Sequence, residues 1–295
     1  MTDVFRRFKG LNIREALDTA RKILADSNIV TPAREAGVLL AFTLGKDLSY
    51  IYAHPEQSLE NGILHKFMDA VEKRSKRMPF QYISNRQEFM SLDFYVDQNC
   101  LVPRPETEIL TEAAIGAVKK YTGTVRVLDI GTGSGAIAVS IAYYAPDAEV
   151  DAIDISEGAL HVAAQNAKRH NVFGRVNFIH ADINGFSAVK PYRVIVSNPP
   201  YIPSREIENL MPEVACYEPV TALDGGEDGL YFYRIIGSRL KELLTPDGTV
   251  LVEVGAGQHE YVREIFEKNG MRVSVLKDLA GTDRVVLGTF GNIFP

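Results

Sequence analysis

Residues 125–135, Val125-Arg126-Val127-Leu128-Asp129-Ile130-Gly131-Thr132-Gly133-Ser134-Gly135, decide how the rest of the chain is read. Val125–Ile130 is a short, mostly apolar run of the kind that forms a buried strand, and the apolar stretch 136–144 behind it has the length of a core helix. Between them, glycines at every second position make a turn that can come close to a ligand, and the helix that follows offers free backbone N–H groups. Dinucleotide-binding folds use a similar turn, but with GxGxxG spacing. Here the spacing is Gly131-x-Gly133-x-Gly135, with Asp129 two places ahead of the first glycine. A carboxylate there repels a pyrophosphate and suits a ligand that carries a positive sulfonium and an amino-acid end.

Downstream, strand and helix signals alternate. Strands are predicted at 125–130, 149–153, 176–180, 193–196 and 249–254, and helices at 136–144, 158–170, 230–244 and 259–269. Such alternation implies βαβ units and a parallel sheet covered on both faces. The last two strands, 271–276 and 284–289, have only a loop between them, so they should pair antiparallel at the sheet edge. Asp154 ends the second strand, where a carboxylate can accept both ribose hydroxyls of a nucleoside, with Ile155 beside it. Asp182 and the Ile183 N–H follow the third strand and could meet an adenine edge. Acidic residues at successive strand ends lie on the carboxyl edge, where open α/β sheets bind ligands.

The fourth strand ends in Asn198-Pro199-Pro200-Tyr201. Two prolines fix the backbone and withhold two N–H donors, so the turn presents a side-chain amide, carbonyl oxygens and an aromatic ring. That set suits a planar amide or amine, although Asn-Pro and Pro-Pro pairs also mark ordinary turns.

Ahead of the α/β region, residues 12–77 have helical spacing, with Thr31-Pro32 as an N-cap and first helical residue and Glu35 placed to cap in return. Residues 87–103 carry two short β-like runs, read as a hairpin. The expected partition is a helical domain at 1–85, a hairpin linker at 86–103 and an α/β domain at 104–295. The chain has 295 residues, 46% apolar and 24% charged, with net charge −6. Residues 1–85 carry 13 Lys/Arg against 10 Asp/Glu, whereas 86–295 carry 19 against 28. An acidic main domain argues against a long nucleic-acid footprint. The cluster Lys73, Arg74, Lys76, Arg77 reads as the solvated end of a helix, with partner docking as the other reading. Cys100 and Cys216 are far apart and lack metal spacing, so no disulfide framework or metal site is expected. Met1 to Lys9 lacks the apolar core of a cleavable signal, and no run approaches the roughly 20 residues of a membrane span. A cytoplasmic protein is expected.

The motifs together resemble class I S-adenosylmethionine-dependent methyltransferases, a Rossmann-like α/β fold with a mostly parallel seven-stranded sheet and an antiparallel terminal strand, here joined to an N-terminal helical bundle. The tetrad 198–201 is similar to the (D/N)PPY motif of enzymes that methylate planar nitrogen. Further stretches resemble the PrmC/HemK protein-(glutamine-N5) methyltransferases of peptide chain release factors: Gln87-Glu88-Phe89, Pro103-Arg104-Pro105-Glu106-Thr107-Glu108, Tyr217-Glu218-Pro219, Ala222 to Leu230 and Arg284 to Gly288. The resemblance covers nearly the whole chain. It implies methyl transfer from S-adenosyl-L-methionine, leaving S-adenosyl-L-homocysteine, to the glutamine of a release factor's Gly-Gly-Gln loop, with class 1 release factors as protein partners, no stable nucleic-acid binding and no membrane.

For the reaction, Asn198 Oδ1 and the Pro199 carbonyl are expected to accept the two N–H bonds of the substrate amide. Tyr201 is expected to pack on its plane and Phe89 to close the other side, with Pro200 lining the site. Cofactor contacts are expected from Asp129, Gly131, Thr132, Gly133, Ser134, Gly135, Asp154, Ile155, Asp182, Ile183 and Asn198. Arg104 and Glu106 are expected to order the cofactor loop or cap the following helix, and Asp224 to Gly229 to be a structural turn. Two other readings stand beside this one: an adenine or guanine N-methyltransferase, which the same tetrad would serve, and a cofactor-binding scaffold without catalysis.

Overall fold

The computed structural model describes residues 10–290, so the expectation for Met1 to Lys9 lies outside the described residues. The chain divides into two compact units, one reaching to Asn85 and including Pro212–Tyr217, the other formed by Arg86–Met211 with residues 218 onward.

The first unit is helical: α1 (Ile13–Asp26), α2 (Pro32–Leu44), α3 (Leu48–Ala53), α4 (Asn61–Ser75) and α5 (Phe80–Ser84). α1 starts at Asn12 in a reciprocal capping box: the Glu15 N–H donates to Asn12 Oδ1 at 2.9 Å and the Asn12 N–H to Glu15 Oε2 at 3.0 Å. Such a cap is worth about 1 kcal/mol. The helix buries Ile13, Ala16, Ala20 and Leu24, one residue per turn, in a core shared with Leu39, Leu40, Phe67 and Val71.

Two expectations are corrected in this unit. Pro32 does open α2, but Thr31 makes no capping bond, and Glu35 does not cap in return. Instead Glu35 accepts from Arg74 Nε at 2.5 Å and Nη2 at 3.1 Å. The basic cluster is accordingly not simply a solvated helix end. Arg74 is 7% exposed and also donates to Glu213 at 2.9 Å, while Arg77 donates to the other Glu213 oxygen at 2.7 Å. A buried guanidinium requires paired acceptors, and two carboxylates supply them. Lys73 and Lys76 do face solvent, paired with Asp69 and Glu72 one turn earlier.

The second unit opens with a hairpin, β1 (Gln87–Phe89) and β2 (Leu92–Phe94), whose two turn residues, Met90 and Ser91, both have positive φ. Side chains beyond the turn hold it, since Glu108 accepts the Met90 N–H at 2.6 Å and Tyr144 donates to its carbonyl at 2.6 Å. Residues 95–106 carry no regular element before α6 (Thr107–Val118). The chain then runs β3 (Val125–Ile130), α7 (Ala136–Tyr144), β4 (Ala148–Asp154), α8 (Glu157–Arg169), β5 (Val176–His180) and β6 (Tyr192–Ser197). After α9 (Pro212–Ala215) come α10 (Tyr231–Leu243), β7 (Leu244–Glu253), α11 (His259–Lys268), β8 (Arg272–Lys277) and β9 (Asp283–Thr289).

The seven strands lie in the order β5-β4-β3-β6-β7-β9-β8. β3 through β7 are parallel, and β9 is inserted antiparallel between β7 and β8. This is the expected class I methyltransferase sheet. The last two strands form the antiparallel pair expected at the sheet edge, with β9 against β7 and β8 outermost. The order reverses between β3 and β6, which places a crevice at their carboxyl ends. The two sheet faces are covered by separate apolar cores, one around Leu110, Val127, Val139 and Val194, the other around Ile130, Ile195, Tyr233 and Phe266.

Candidate active site

In-register pairing brings the strand ends together, with Ile130 opposite both Ile153 and Ser197 and Ile153 opposite Ile179. The loops leaving β3, β4, β5 and β6 therefore border one cleft of about 1050 Å³ that opens to solvent. Of the residues expected from sequence, Gly131, Thr132, Gly133, Ser134, Asp154, Ile155, Asp182, Ile183, Asn198, Pro199, Pro200 and Arg104 line it. Asn99, Cys100, Leu101, Thr107, Pro219 and Phe232 line it as well and were not foreseen. Thr107 and Pro219 lie inside quoted motif stretches, so only their neighbours were singled out. Asn99 to Leu101 have no motif signal at all.

The glycine turn divides its tasks. Gly131, Gly133 and Gly135 all have positive φ. At Gly135 a Cβ would also meet the Ala163 side chain of α8 at 2.9 Å. That glycine therefore serves helix packing and is not part of the cleft wall. Asp154 receives the Gly133 N–H on one oxygen and the Ser156 N–H on the other, each at 2.9 Å. A carboxylate has about four acceptor sites, so capacity remains for a hydroxyl group in the cleft beside the N–H groups of Gly133, Ser156 and Ile155. Burial raises its pKa, against the lowering effect of those N–H groups. Asp182 is exposed and folds over Asn184, accepting its backbone and side-chain N–H groups at 2.9 Å.

Asp129 lies beneath the turn, fully buried, and accepts from the Thr132 hydroxyl at 2.6 Å. Burial pushes its carboxyl up to about 7, partly offset by Thr132 and the Ala138 N–H. A cation bound above it would favour the ionised form.

Asn198 leaves β6 with its Nδ2 donating to Thr107 Oγ1 at 3.2 Å. The turn behind it is braced by the Ala222–Leu230 stretch. Ile202 pairs with the chain at Leu223–Gly225 through bonds of 3.0 and 2.8 Å, and Gly225 comes so close that a Cβ would sit 2.8 Å from Tyr201 Cα and 2.9 Å from the Pro200 carbonyl. Gln258 closes the other side, its Nε2 donating to the Tyr201 carbonyl at 2.9 Å. The stretch expected to be a plain turn is thus the support of the Asn-Pro-Pro-Tyr segment.

Two aromatic expectations are corrected. Phe89 is 1% exposed, edge-to-face with Phe94 and packed in the core with Leu110 and Val127, so it cannot close over a substrate. Tyr201 is absent from the cleft wall; its ring packs against the second core and over Gly255. Burying the apolar Phe89 ring outweighs exposing it beside the cleft, whereas Tyr201 is half-buried against the core. Nor does Glu106 act as a cap: it holds the position before α6 but makes no capping bond. Arg104 directs one guanidinium nitrogen to both oxygens of the buried Glu218 at 2.7 Å, which ties residue 104 to the far wall of the cleft.

Residues 15–84 match the family described as the PrmC N-terminal domain, and residues 109–216 match the methyltransferase small domain. The release factor glutamine methyltransferase of Clostridium acetobutylicum is 39% identical over 96% of this chain and 100% of its own length. That of Geobacter sulfurreducens is 40% identical over 95% of this chain and 97% of its own. Among solved structures, a methyltransferase from Pyrococcus furiosus shares the fold, with a TM-score of 0.50 at 19% identity over 75% of this chain and 99% of that one.

Proposed function

Because this chain belongs to the release factor glutamine methyltransferase family, we propose that it transfers the methyl group of S-adenosyl-L-methionine to the side-chain amide nitrogen of the glutamine in a release factor's Gly-Gly-Gln loop. The observation that carries the reading is the placement of Asn198, Pro199 and Pro200 on the same cleft wall as the glycine turn and Asp154. The donor set fits the cofactor: Asp154 keeps acceptor capacity for a ribose hydroxyl, Ile183 and Phe232 offer apolar surface for a base, and Asp129 can gain charge beneath a cation. When bound, the cofactor supplies an electrophilic sulfonium methyl.

An amide nitrogen is a weak nucleophile because its lone pair is delocalised into the carbonyl. Asn198 Oδ1 and the Pro199 carbonyl would accept its two N–H bonds and favour the pyramidal nitrogen of the transition state. Holding the nitrogen in place contributes most of the rate. The alkylated nitrogen is acidic and can release its proton to solvent, so no strong base is needed.

The wider reading assigns residues 1–85 to holding the release factor, 86–103 to a hairpin linker and 104–295 to methyl transfer, in the cytoplasm where translation occurs. Hydrogen exchange on the full chain tests the first assignment, and unchanged protection of residues 10–85 on adding release factor would reject it. The active-site reading is tested by Asn198→Ala with tritiated S-adenosylmethionine and purified release factor. A loss of roughly 100-fold or more in kcat is expected for one transition-state hydrogen bond. Near-normal turnover, or label on nucleic acid alone, would overturn it.

A further inference from the structure

Glu253, the last residue of β7, is 1% exposed and makes no ion pair among the described residues; its Oε2 has no hydrogen-bond partner. Such a group in a protein interior calls for a reason. Strand register supplies its location: Val252 is opposite Ser197, so Glu253 lies beside Asn198. The Thr107 hydroxyl and the Asn198 amide face its carboxylate and favour its charged form. It does not line the cleft, so it does not touch a substrate.

We propose that Glu253 is a positioning residue for methyl transfer, fixing the Asn198 amide through the Thr107 hydroxyl so that Nδ2 points inward and Oδ1 faces the cleft. The inference rests on the reading of Asn198 Oδ1 as the acceptor of the substrate N–H. A hydroxyl has one hydrogen, and a carboxylate only accepts. Thr107, 4% exposed, turns a lone pair to Asn198 Nδ2 at 3.2 Å, and in the proposed wiring its one hydrogen is directed to Glu253. With the amide reversed, an oxygen would face that lone pair and the carboxylate together. The arrangement keeps the acceptor edge of Asn198 toward the substrate by a carboxylate that lies behind the cleft wall.

The same wiring depends on the charge of Glu253. Protonated, it would donate to Thr107, and the freed Thr107 hydrogen would favour the reversed Asn198 amide, with Oδ1 turned inward and Nδ2 in the cleft where the acceptor is needed. Burial pushes the Glu253 carboxyl up to about 7, with Thr107, Arg284 and Asn198 opposing and Glu106 reinforcing the shift. Arg284 is engaged with Asp278 at 3.2 Å and the Val254 carbonyl at 3.3 Å, and the phenols of Tyr201 and Tyr233 also face this site.

The test compares full-length Glu253→Gln, Thr107→Val and Thr107→Ser with wild type for kcat, KM for release factor, S-adenosylmethionine Kd by calorimetry, and melting. The expected result is a fall of about 10- to 100-fold in kcat for Glu253→Gln and Thr107→Val, the scale set by small misplacement of a reacting group. Cofactor Kd should hold within about threefold, and Thr107→Ser, which keeps the hydroxyl, should stay near wild type. Wild-type kcat should decline below about pH 7, and Glu253→Gln should lack that limb. Wild-type kcat in Glu253→Gln with the pH limb intact would overturn the proposal. Should Glu253→Gln fail to fold, equal kcat in Thr107→Val and Thr107→Ser would overturn it instead. Asn198→Ala run alongside separates the two ideas: its collapse beside unaffected Glu253→Gln and Thr107→Val sinks only the wiring, whereas its normal turnover sinks the active-site reading.

Discussion

Replacing Gly225 with alanine should displace the Asn-Pro-Pro-Tyr turn without touching the glycine turn after β3. The added Cβ would sit 2.8 Å from Tyr201 Cα, 2.9 Å from Gly229 Cα and 2.9 Å from the Pro200 carbonyl, all backbone atoms that cannot rotate away. Ordinary contact begins at 3.4 Å, so at least 0.6 Å (3.4 minus 2.8) must be found by moving main chain. The Gly225–Gly229 side is held by Gly225 N–H to the Ile202 carbonyl at 2.8 Å, and the opposite side by Gln258, so the strain falls on 199–202. Overpacking of this kind costs about 1–3 kcal/mol. A shift of this size at a reacting group costs about 10- to 100-fold in rate. The assay is methyl transfer to release factor from labelled S-adenosylmethionine, with calorimetric cofactor binding and urea unfolding on the same preparation. Expected are lower kcat, lower stability and cofactor Kd within about threefold of wild type, because Asp154 and the glycine turn are untouched. Wild-type kcat at unchanged stability would refute the brace; an equal loss of cofactor binding would refute its locality.

Gly116→Ala is the converse case: Gly116 lies in α6 with nothing within 4 Å of an added Cβ, so the variant should gain about 0.5–1 kcal/mol in urea unfolding, and a loss would contradict the open geometry. Glu213→Ala removes one of the two carboxylates on buried Arg74 and should cost about 2 kcal/mol, seen as a lower urea midpoint; an unchanged midpoint would mean the network is dispensable. Asp129, pushed up to about 7 by burial, favours the protonated folded state, so its contribution is fully present below the unfolded pKa near 4 and is lost as pH rises to about 7. Asp129→Asn should therefore flatten stability against pH across about 4–7 by up to one proton, about 1.4 kcal/mol per pH unit; parallel curves for the two proteins would reject the buried-carboxyl account.

Local chemistry left most of the architecture legible. The strand boundary 125–130 and the helix 136–144 come straight from apolar runs punctuated by glycine, because period and turn chemistry are local properties. The acidic residues after successive strands and the Asn-Pro-Pro-Tyr turn converge for the same reason: parallel strands with in-register pairing must end on one edge. What failed was any statement about which face of a side chain is buried. Phe89 sits in a motif stretch but points into the core, and Glu35 and Arg74, 39 positions apart, meet only after α2 and α4 pack.

By itself the sequence determined the sheet and the carboxyl edge on which the candidate site lies. Tertiary structure alone decided what holds the Asn-Pro-Pro-Tyr turn. Gly225, Gln258, Thr107 and Glu253 come from separate elements and surround residues 198–201 only through strand order and register. Hydrogen-bond direction and close approach depend on three-dimensional neighbours, which no spacing along the chain specifies.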